Sequence, residues 1–586
     1  MNRTTPVARV WEMAIARLHA KFIFASPMFS ACAAVVGAGL AAHMLLPATD
    51  YVIWDGWWQF ADVAWPEGPS VTRQHLAEVG RPLDLVYYWP FRFVDSFSSR
   101  VRLSKVFALG LWVGSACLML GVMWRATRLP HDIATAVAAT VASCPVFALL
   151  GEFSLWMYTA AVFLFWVGWF ALVQLPRTNR VVRTLARPAL WVVFFLSFNL
   201  NSQLVAFYAV CGCLFFSRFA SLRTEVTINV LRVYSYRYLD FLLLPILFWF
   251  WKKWWTPSVG AYAGYNALSL SPQRLTAGVG AMIQELIAPW LLNPFASHSW
   301  VFAAVVAAAI TLWMPRESSA CRHDLKRWSL RLTIAGLFLL FANSFPYLAV
   351  GQVPSAYGWL SRNAILMPLP LGLLAIGACL AISSALPTTM PHAWKALVVA
   401  WITLNAGACF RNYLTLQGFG VKQESIAFRL REAIGRNPTA AVQLRDYYPI
   451  RAAVATYAPS IWTFLPTGGS LQPRTFVFET QAALPDQHRL DANGNTALVM
   501  PHVLLTEAML NAMIDETTMA YAMKNIPRSG RHILLCIRPS RYTLDGATLG
   551  SGYLWRKWLD PLRVEEFVQE ATSSEMVELP KVRAGS

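Results

Sequence analysis

Long apolar runs alternate with short polar connections through roughly the first 412 residues of the chain. A helix that crosses a bilayer needs about 20 predominantly apolar residues. The pattern predicts a polytopic α-helical membrane protein with about 11 transmembrane helices. The predicted spans lie near 22–47, 104–124, 133–150, 155–174, 188–200, 202–217, 238–251, 300–314, 332–350, 365–384 and 395–412.

The rest of the chain, residues 413–586, has a different pattern. Its apolar runs are short, as at 475–478 and 532–537, and Pro and Gly turns separate them. Short apolar runs between such turns are typical of strands alternating with helices. We predict two domains, a transmembrane domain over 1–412 and a C-terminal α/β domain over 413–586.

The distribution of charge orients the transmembrane domain. The whole chain has a net charge of +18, yet only 14% of its residues are charged, against about 25% in soluble domains. The excess belongs to residues 1–412, which hold 31 basic and 15 acidic side chains. The basic side chains cluster between apolar runs, as the positive-inside rule requires of cytoplasmic loops, whereas nucleic-acid binding needs a continuous basic face. The pattern therefore excludes a cytosolic enzyme and argues against a nucleic-acid partner. The clusters are Arg125 and Arg128; Arg177, Arg180, Arg183 and Arg187; Arg218, Arg223, Arg232 and Arg237; and Arg316, Arg322, Lys326, Arg327 and Arg331.

The N-terminus is also basic before the first run, which predicts that it stays in the cytoplasm and that the run is a retained anchor. Eleven crossings then place residues 413–586 outside, together with a large first outer loop over 48–103 and a second outer segment over 252–299. The moderately apolar segment 281–294, which contains Glu285, predicts a re-entrant or interfacial helix.

The first outer loop contains seven of the 15 acidic residues of the transmembrane domain, and Asp55 stands among tryptophans in the motif WDGWW. Partial burial among indoles raises a carboxylate's pKa and makes it a usable general base. Trp57 and Trp58 are suited to stacking on a sugar, and Asp50 and His75 lie in the same loop. The alternative is an interfacial aromatic belt with a solvated aspartate.

Glu152 lies in the short connection between two apolar runs, in the motif GEFSLWMY. An ionisable side chain this close to the hydrocarbon is expensive and is by default a functional-site hypothesis. If both face outside, Asp55 and Glu152 converge on one cavity at the membrane surface. The alternative is a salt bridge between Glu152 and a loop arginine.

Four basic residues at outer boundaries are candidates for binding a phosphate. Arg81 lies in the Gly-Arg-Pro-Leu turn at 80–83, and Arg362 opens the tenth run ahead of Pro368 and Pro370. Lys252 and Lys253 begin the second outer segment. Arginine binds phosphate oxygens bidentately, but helix capping, lipid-headgroup binding or snorkelling are alternatives for these side chains.

These features resemble the GT-C superfamily of polytopic glycosyltransferases that use polyprenyl-phosphate-linked sugars. The resemblance covers roughly residues 20–410 and rests on Asp55 in the first outer loop, Glu152 in the next, and Arg362 before its prolines. The odd number of spans and the C-terminal outer domain also fit. The turn at 80–83 resembles the type II O-antigen glucosyltransferase branch.

The resemblance implies an inverting transfer on the outer face of a bacterial inner membrane, with a periplasmic C-terminal domain. Asp55 is then the base, and Glu152 binds or orients the acceptor or the sugar hydroxyls. Arg362, then Arg81, Lys252 and Lys253 bind the donor phosphate. The remaining contacts to sugar or acceptor fall to Asp50, Trp57, Trp58 and His75.

The expected partners are a polyprenyl-phosphate sugar, membrane lipids, and a lipopolysaccharide or other surface-glycan acceptor. Two carboxylates and an anionic leaving group are compatible with a divalent metal, but the sequence shows no dedicated set of ligands, so we predict no metal and no other cofactor. Three alternatives stay open: a pilin-type protein O-glycosyltransferase, a transporter or flippase of lipid-linked sugars, and an assembly scaffold.

Overall fold

A computed structural model describes the helical part of the chain and four strands of the C-terminal part. The described residues are 27–49, 51–52, 68–94, 96–219, 224–259, 263–264, 267–268, 270–296, 322–356, 359–386, 393–436, 441–446, 478–480, 532–539 and 572–579.

Fifteen α-helices follow one another in these ranges. They are α1 (Pro27–His43), α2 (Gly68–Glu78), α3 (Asp84–Tyr88), α4 (Phe97–Ala126), α5 (His131–Ala142), α6 (Trp156–Gln174), α7 (Arg180–Ser197), α8 (Gln203–Phe219), α9 (Thr224–Arg237), α10 (Leu239–Trp255), α11 (Pro272–Met282), α12 (Ala288–Leu292), α13 (Arg322–Ala349), α14 (Pro368–Ala385) and α15 (Ala393–Arg436).

Seven stretches of the described chain are helical, long and apolar enough to cross a membrane. Six coincide with predicted spans, which confirms the polytopic helical class. The seventh is Pro272–Phe295, where the sequence predicts a re-entrant or interfacial helix; it contains a π-helical turn at Ile283–Ile287. The seven are Pro27–Ala48, Ser99–Ala126, Phe153–Arg177, Pro272–Phe295, Asp324–Ala349, Pro368–Ala385 and Ala393–Gln417.

Other predicted spans form different structures. The run 133–150 is not one helix, because α5 ends at Ala142 and the buried chain beyond it is irregular. The runs 188–200, 202–217 and 238–251 belong to α7, α8 and α10, which fall short of the length or apolarity of a full span. The helices of the first two runs are separated by residues 198–202, where the predicted spans 188–200 and 202–217 meet. The run 300–314 lies outside the described residues.

Aromatic side chains tie the middle helices together. Phe165 and Trp169 of α6 meet Phe194 of α7 and Phe207 of α8, with the Trp169 and Phe207 rings stacked 4.9 Å apart. Gly168 makes this packing possible, since a Cβ there would lie 2.7 Å from the Phe194 ring. Burial of such rings is the largest apolar contribution a helix interface makes.

Apolar side chains also cover the outside of the bundle. On α13, Leu330, Ile334, Leu337 and Phe341 follow one another at helical spacing and each is more than half exposed. An exposed apolar stripe of this length is unfavourable in water and is expected of a helix that faces lipid.

The last helix continues into the C-terminal part. Helix α15 runs without interruption through residue 412, the predicted domain boundary. Four strands follow: β1 (Ala441–Asp446), β2 (Phe478–Thr480), β3 (His532–Pro539) and β4 (Thr572–Leu579). They form one sheet in the order β2-β1-β3-β4, in which β1 is parallel to both neighbours and β4 is antiparallel to β3. The chain between the strands lies outside the described residues, so the α/β class and the boundary stay predictions.

Candidate functional site

The Gly-Arg-Pro-Leu turn joins α2 to α3 and lies against the chain that follows α10. Gly80 has a φ of 72°, and a Cβ there would lie 2.7 Å from the Thr256 carbonyl oxygen. The amide of Val259 donates a hydrogen bond of 2.8 Å to the Glu78 carbonyl. Only glycine adopts this φ and permits this approach without strain. The turn thereby brings Arg81 towards the end of α10.

Arg81 contacts a hydroxyl group and a carboxylate. Its Nη1 donates a 2.6 Å hydrogen bond to the Tyr158 hydroxyl, and its Nε lies 3.0 Å from Asp84 Oδ2. Asp84 is completely buried, and Asn199 donates a hydrogen bond to its other oxygen. Burial raises the pKa of Asp84, while Arg81, the Asn199 hydrogen bond and Lys252 oppose that rise. The guanidinium is therefore fixed in one orientation.

Two more of the predicted phosphate-binding residues join Arg81. Lys252 interacts electrostatically with both Arg81 and Asp84. Burial, with the Arg81 charge adding to it, lowers the pKa of Lys252 to about 8. Arg81 and Arg362 both lie within electrostatic reach of the Tyr347 hydroxyl. We call Arg81, Lys252 and Arg362, with Asp84, the cation cluster.

The side chain of Lys253, the fourth predicted phosphate ligand, does not join the cation cluster. Its side chain is exposed, and its ammonium lies 5.1 Å from the centre of the Trp249 ring. Adjacent residues on a helix point about 100° apart, so Lys252 reaches the cluster while its neighbour does not.

An apolar cleft begins one helical turn from the cation cluster. Residues four apart lie on the same face of a helix. On α6 the chain passes from Tyr158 beside Arg81 to Val162 in the cleft, and on α13 from Tyr347 to Asn343. The cleft is also lined from α4 and α8, and by the chain that follows Arg362. Those cleft residues include Trp112, Met119, Ala206, Val210, Ile365, Leu366 and Pro368.

Glu152 belongs to a separate buried group. Its side chain is completely buried, and its charge acts on Lys105 and Tyr51. Lys105 donates hydrogen bonds to Thr49 Oγ1 at 3.1 Å and to the Tyr51 carbonyl at 3.0 Å. We call Thr49, Tyr51, Lys105 and Glu152 the lysine–glutamate group.

Several predicted site residues are not placed. Asp50, Asp55, Trp57 and Trp58 lie outside the described residues, and His75 lies on α2 with a side chain that is not described. Their roles stay predictions. Within the described ranges, no group of three or more His, Cys, Asp or Glu side chains is arranged to hold a metal ion.

Sequence reasoning missed Asp84, Tyr158, Asn199 and Tyr347. Two signals were present. Asp84 follows Arg81 at the three-residue spacing of a helical ion pair, and Asn199 belongs to the polar break between α7 and α8. The tyrosines carry no local signal, because they lie within apolar runs like many other aromatic residues.

Comparison with protein-family models, with curated proteins and with solved structures finds no match to this chain. What the protein does must be inferred from the cation cluster, the cleft next to it and the lysine–glutamate group.

Proposed function

We propose that the protein is an integral membrane glycosyltransferase of the GT-C type, which moves a sugar from a polyprenyl-phosphate donor to a lipopolysaccharide or other surface-glycan acceptor. One observation carries the proposal: the cation cluster lies one helical turn from an apolar cleft within the helices. A lipid-linked sugar phosphate joins an anion directly to a hydrocarbon chain. Adjacent sites for the two parts match that chemistry.

The side chains of the cluster suit an anionic ligand. Arg81 and Lys252 both interact with Asp84, and Arg362 lies within electrostatic reach of the same tyrosine hydroxyl as Arg81. The fork of an arginine and the point charge of a lysine both suit phosphate oxygens.

In the proposed reaction, the Asp55 carboxylate removes the proton from an acceptor hydroxyl. The resulting oxygen attacks the anomeric carbon from the face opposite the phosphate, and the carbon–oxygen bond to the phosphate breaks. The polyprenyl phosphate leaves with the bonding electrons, and its negative charge faces the cation cluster. Donors placed where charge develops stabilise such a transition state more than the ground state. Trp57 and Trp58 stack on the sugar, and Asp50 and His75 bind hydroxyls.

The orientation belongs to the same proposal, with the N-terminus in the cytoplasm and residues 413–586 as a periplasmic α/β domain at a bacterial inner membrane. The two ends of α7 and α10 support it. At one end, Asn199 and Lys252 reach the cation cluster. At the other, Arg187, which belongs to one of the basic clusters, pairs with Asp240. Basic loops and the cation cluster thus lie at opposite ends of the helices, as the positive-inside rule expects of an outer site.

The test uses purified protein in lipid nanodiscs, polyprenyl-phosphate sugars, and a panel of lipopolysaccharide and pilin-type acceptors, with glycosylated product measured by mass spectrometry. We expect the parent protein to transfer a sugar to a glycan acceptor in this assay. Asp55→Asn lowers kcat by about 100-fold to 10,000-fold, the usual contribution of a general base. Full transfer by this variant would reject Asp55 as the base.

The same assay tests the phosphate site. Arg362→Ala and Arg81→Ala raise the donor KM, because each removes a cation from the cluster, whereas Lys253→Ala is the matched control and leaves KM near the parent value. If none of the cluster substitutions changed the donor KM, the role of these side chains would be snorkelling or helix capping. Product on pilin alone would favour the protein O-glycosyltransferase.

A transporter or flippase of lipid-linked sugars is the second candidate, since it would need the same headgroup and chain sites. Asp240 lies in the first turn of α10, at one end of a predicted span. It accepts hydrogen bonds from Arg187 Nε at 3.2 Å and from Trp191 Nε1 at 2.8 Å, which give it a structural role. Glu285, within the apolar helical stretch Pro272–Phe295, is the acidic residue that ion coupling would use. Translocation of the lipid-linked sugar in vesicles, without any transferred product, would support the transporter instead.

A further inference from the structure

We infer that Lys105 and Glu152 form a buried charge pair that positions the start of the first outer loop, so that Glu152 is a positioning residue and does not touch the substrate. The inference rests on the proposed function in one respect, which is that this loop carries the base Asp55. It replaces the role in acceptor or sugar binding that the family resemblance implies for Glu152.

Lys105 holds the base of the loop through three contacts. It is completely buried on α4, and its ammonium donates to the Thr49 hydroxyl and to the Tyr51 carbonyl. The same ammonium lies 3.7 Å from the centre of the Tyr51 ring. The two hydrogen bonds and the cation–π contact all join Lys105 to residues at the base of the loop. Thr49 and Tyr51 are therefore anchored just before the chain reaches Asp55.

Glu152 reaches this anchor from a different element. It follows the irregular chain after α5, where Gly151 lies so close to the loop base that a Cβ would be 2.1 Å from Leu46 Cδ1 and 3.2 Å from Tyr51 Oη. Its charge acts on both Lys105 and Tyr51. A completely buried carboxylate within electrostatic reach of a completely buried ammonium can compensate its charge.

Burial also argues against direct contact with substrate. Glu152 has no solvent-exposed surface, whereas Arg81, Lys252 and Arg362 are each partly accessible. A side chain that accepts a proton or hydrogen bond from an acceptor must come within hydrogen-bond distance of it. Glu152 acts instead through Lys105, which holds the base of the loop.

A double-mutant cycle tests this, with Glu152→Gln, Lys105→Met and the double substitution compared with the parent protein. In the parent background, Glu152→Gln lowers kcat by about 10-fold to 100-fold, since an error of about 1 Å in placing a catalytic group has effects of that order. The donor KM stays near the parent value because the cation cluster is untouched. In the Lys105→Met background the same substitution changes kcat by less than about twofold, because its effect passes through Lys105.

Two further variants complete the design. Glu152→Asp keeps the negative charge and retains most of the parent's kcat. Asp132→Asn removes the partner of Lys395, whose Nζ lies 3.2 Å from Asp132 Oδ2 in a more exposed pair of the same kind, and leaves kcat unchanged. If Glu152→Gln reduced kcat by the same factor in both backgrounds, Glu152 would act independently of Lys105 and the inference would be wrong.

Hydrogen exchange separates this inference from the proposed transferase activity. Amides 49–52 exchange faster in Glu152→Gln and in Lys105→Met, and no faster in the double variant than in Lys105→Met alone. This result supports the pair even if the parent protein transfers no sugar. Unchanged exchange at 49–52 in both single variants would overturn it even if transfer is observed.

Discussion

The surroundings of Lys252 lower the pKa of its side chain. Lysine ordinarily titrates near pH 10.4, but burial and the nearby Arg81 lower the pKa of Lys252 to about 8. The side chain is therefore partly neutral slightly above physiological pH, while the guanidinium groups of Arg81 and Arg362 keep their charge. The cation cluster combines fixed charges with one that titrates.

This residue predicts a pH dependence of donor capture. If the protein is the proposed transferase, protonated Lys252 attracts the donor phosphate, so kcat/KM is expected to fall as the pH rises through about 8, the pKa of Lys252 without bound donor. Bound phosphate favours the charged form, so the decline in kcat occurs at a higher pH than the decline in kcat/KM. Steady-state kinetics between pH 6 and 10 measure both profiles.

Lys252→Arg is the control for this prediction, since it keeps the charge but does not titrate in the same range. The alkaline decline in kcat/KM should disappear in that variant. Its persistence with the same midpoint would mean that a different group titrates.

At the scale of elements, irregular chain lies buried among the helices because side chains satisfy its backbone. Helix α5 ends at Ala142, whose carbonyl accepts hydrogen bonds from His43 Nε2 at 2.9 Å and Trp112 Nε1 at 3.2 Å. Asn412 donates to the Pro145 carbonyl at 3.3 Å. Non-helical backbone at membrane depth is tolerated only inside the protein, with its polar groups paired. These hydrogen bonds stabilise the irregular chain between α5 and Glu152.

The turn between α2 and α3 predicts a second element-scale effect. Gly80→Ala forces a non-glycine residue into a positive φ and drives its Cβ against Thr256. We expect the free energy of unfolding to fall by about 1–3 kcal/mol, the cost of such strained conformations. We also expect a higher donor KM, since Arg81 and Lys252 lie on the two sides of this contact. Denaturation in detergent and donor titration measure these effects.

Gly264→Ala is the matched control, because Gly264 has a φ of 81° and a Cβ there would meet no atom of the described residues within 4 Å. It incurs the backbone cost without the clash and leaves the donor KM unchanged. An equal rise in KM in both variants would show that the contact between Gly80 and Thr256 does not position the cluster.

At the scale of the whole molecule, the two ends of the helices differ in chemistry. The cation cluster contains Lys252 from the last turn of α10 and lies near Tyr158 at the start of α6 and Tyr347 at the end of α13. At the opposite end of α10, Asp240 pairs with Arg187 of a basic cluster. Helix α15 begins at the basic end, where Lys395 pairs with Asp132, and then passes Tyr413, whose hydroxyl meets His43 Nδ1 at 2.6 Å. The chain therefore approaches β1 from the end that carries the cluster.

The difference between the two ends of the helices predicts which surfaces are reachable from outside an intact cell. Cysteines introduced at the exposed positions Ala77 and Arg436 should react with a membrane-impermeant maleimide, and one at the exposed position Arg177 should react only after permeabilisation. The parent protein provides the background labelling of its own cysteines. Labelling of Arg177→Cys in intact cells, with protection of the other two, would reverse the proposed orientation.

The sequence by itself determined the membrane class, because the length and apolarity of a run are local properties that lipid selects directly. It also marked Arg81, Lys252 and Arg362 as basic residues near the ends of apolar runs, since such charges are visible without a fold. Only the tertiary structure decided which charges meet. Asn199 faces Asp84, and Lys105 interacts with Glu152, through helix packing that no local pattern encodes. Burial and pairing arise from contacts between residues distant in sequence, so the sequence alone does not show which charged side chains meet.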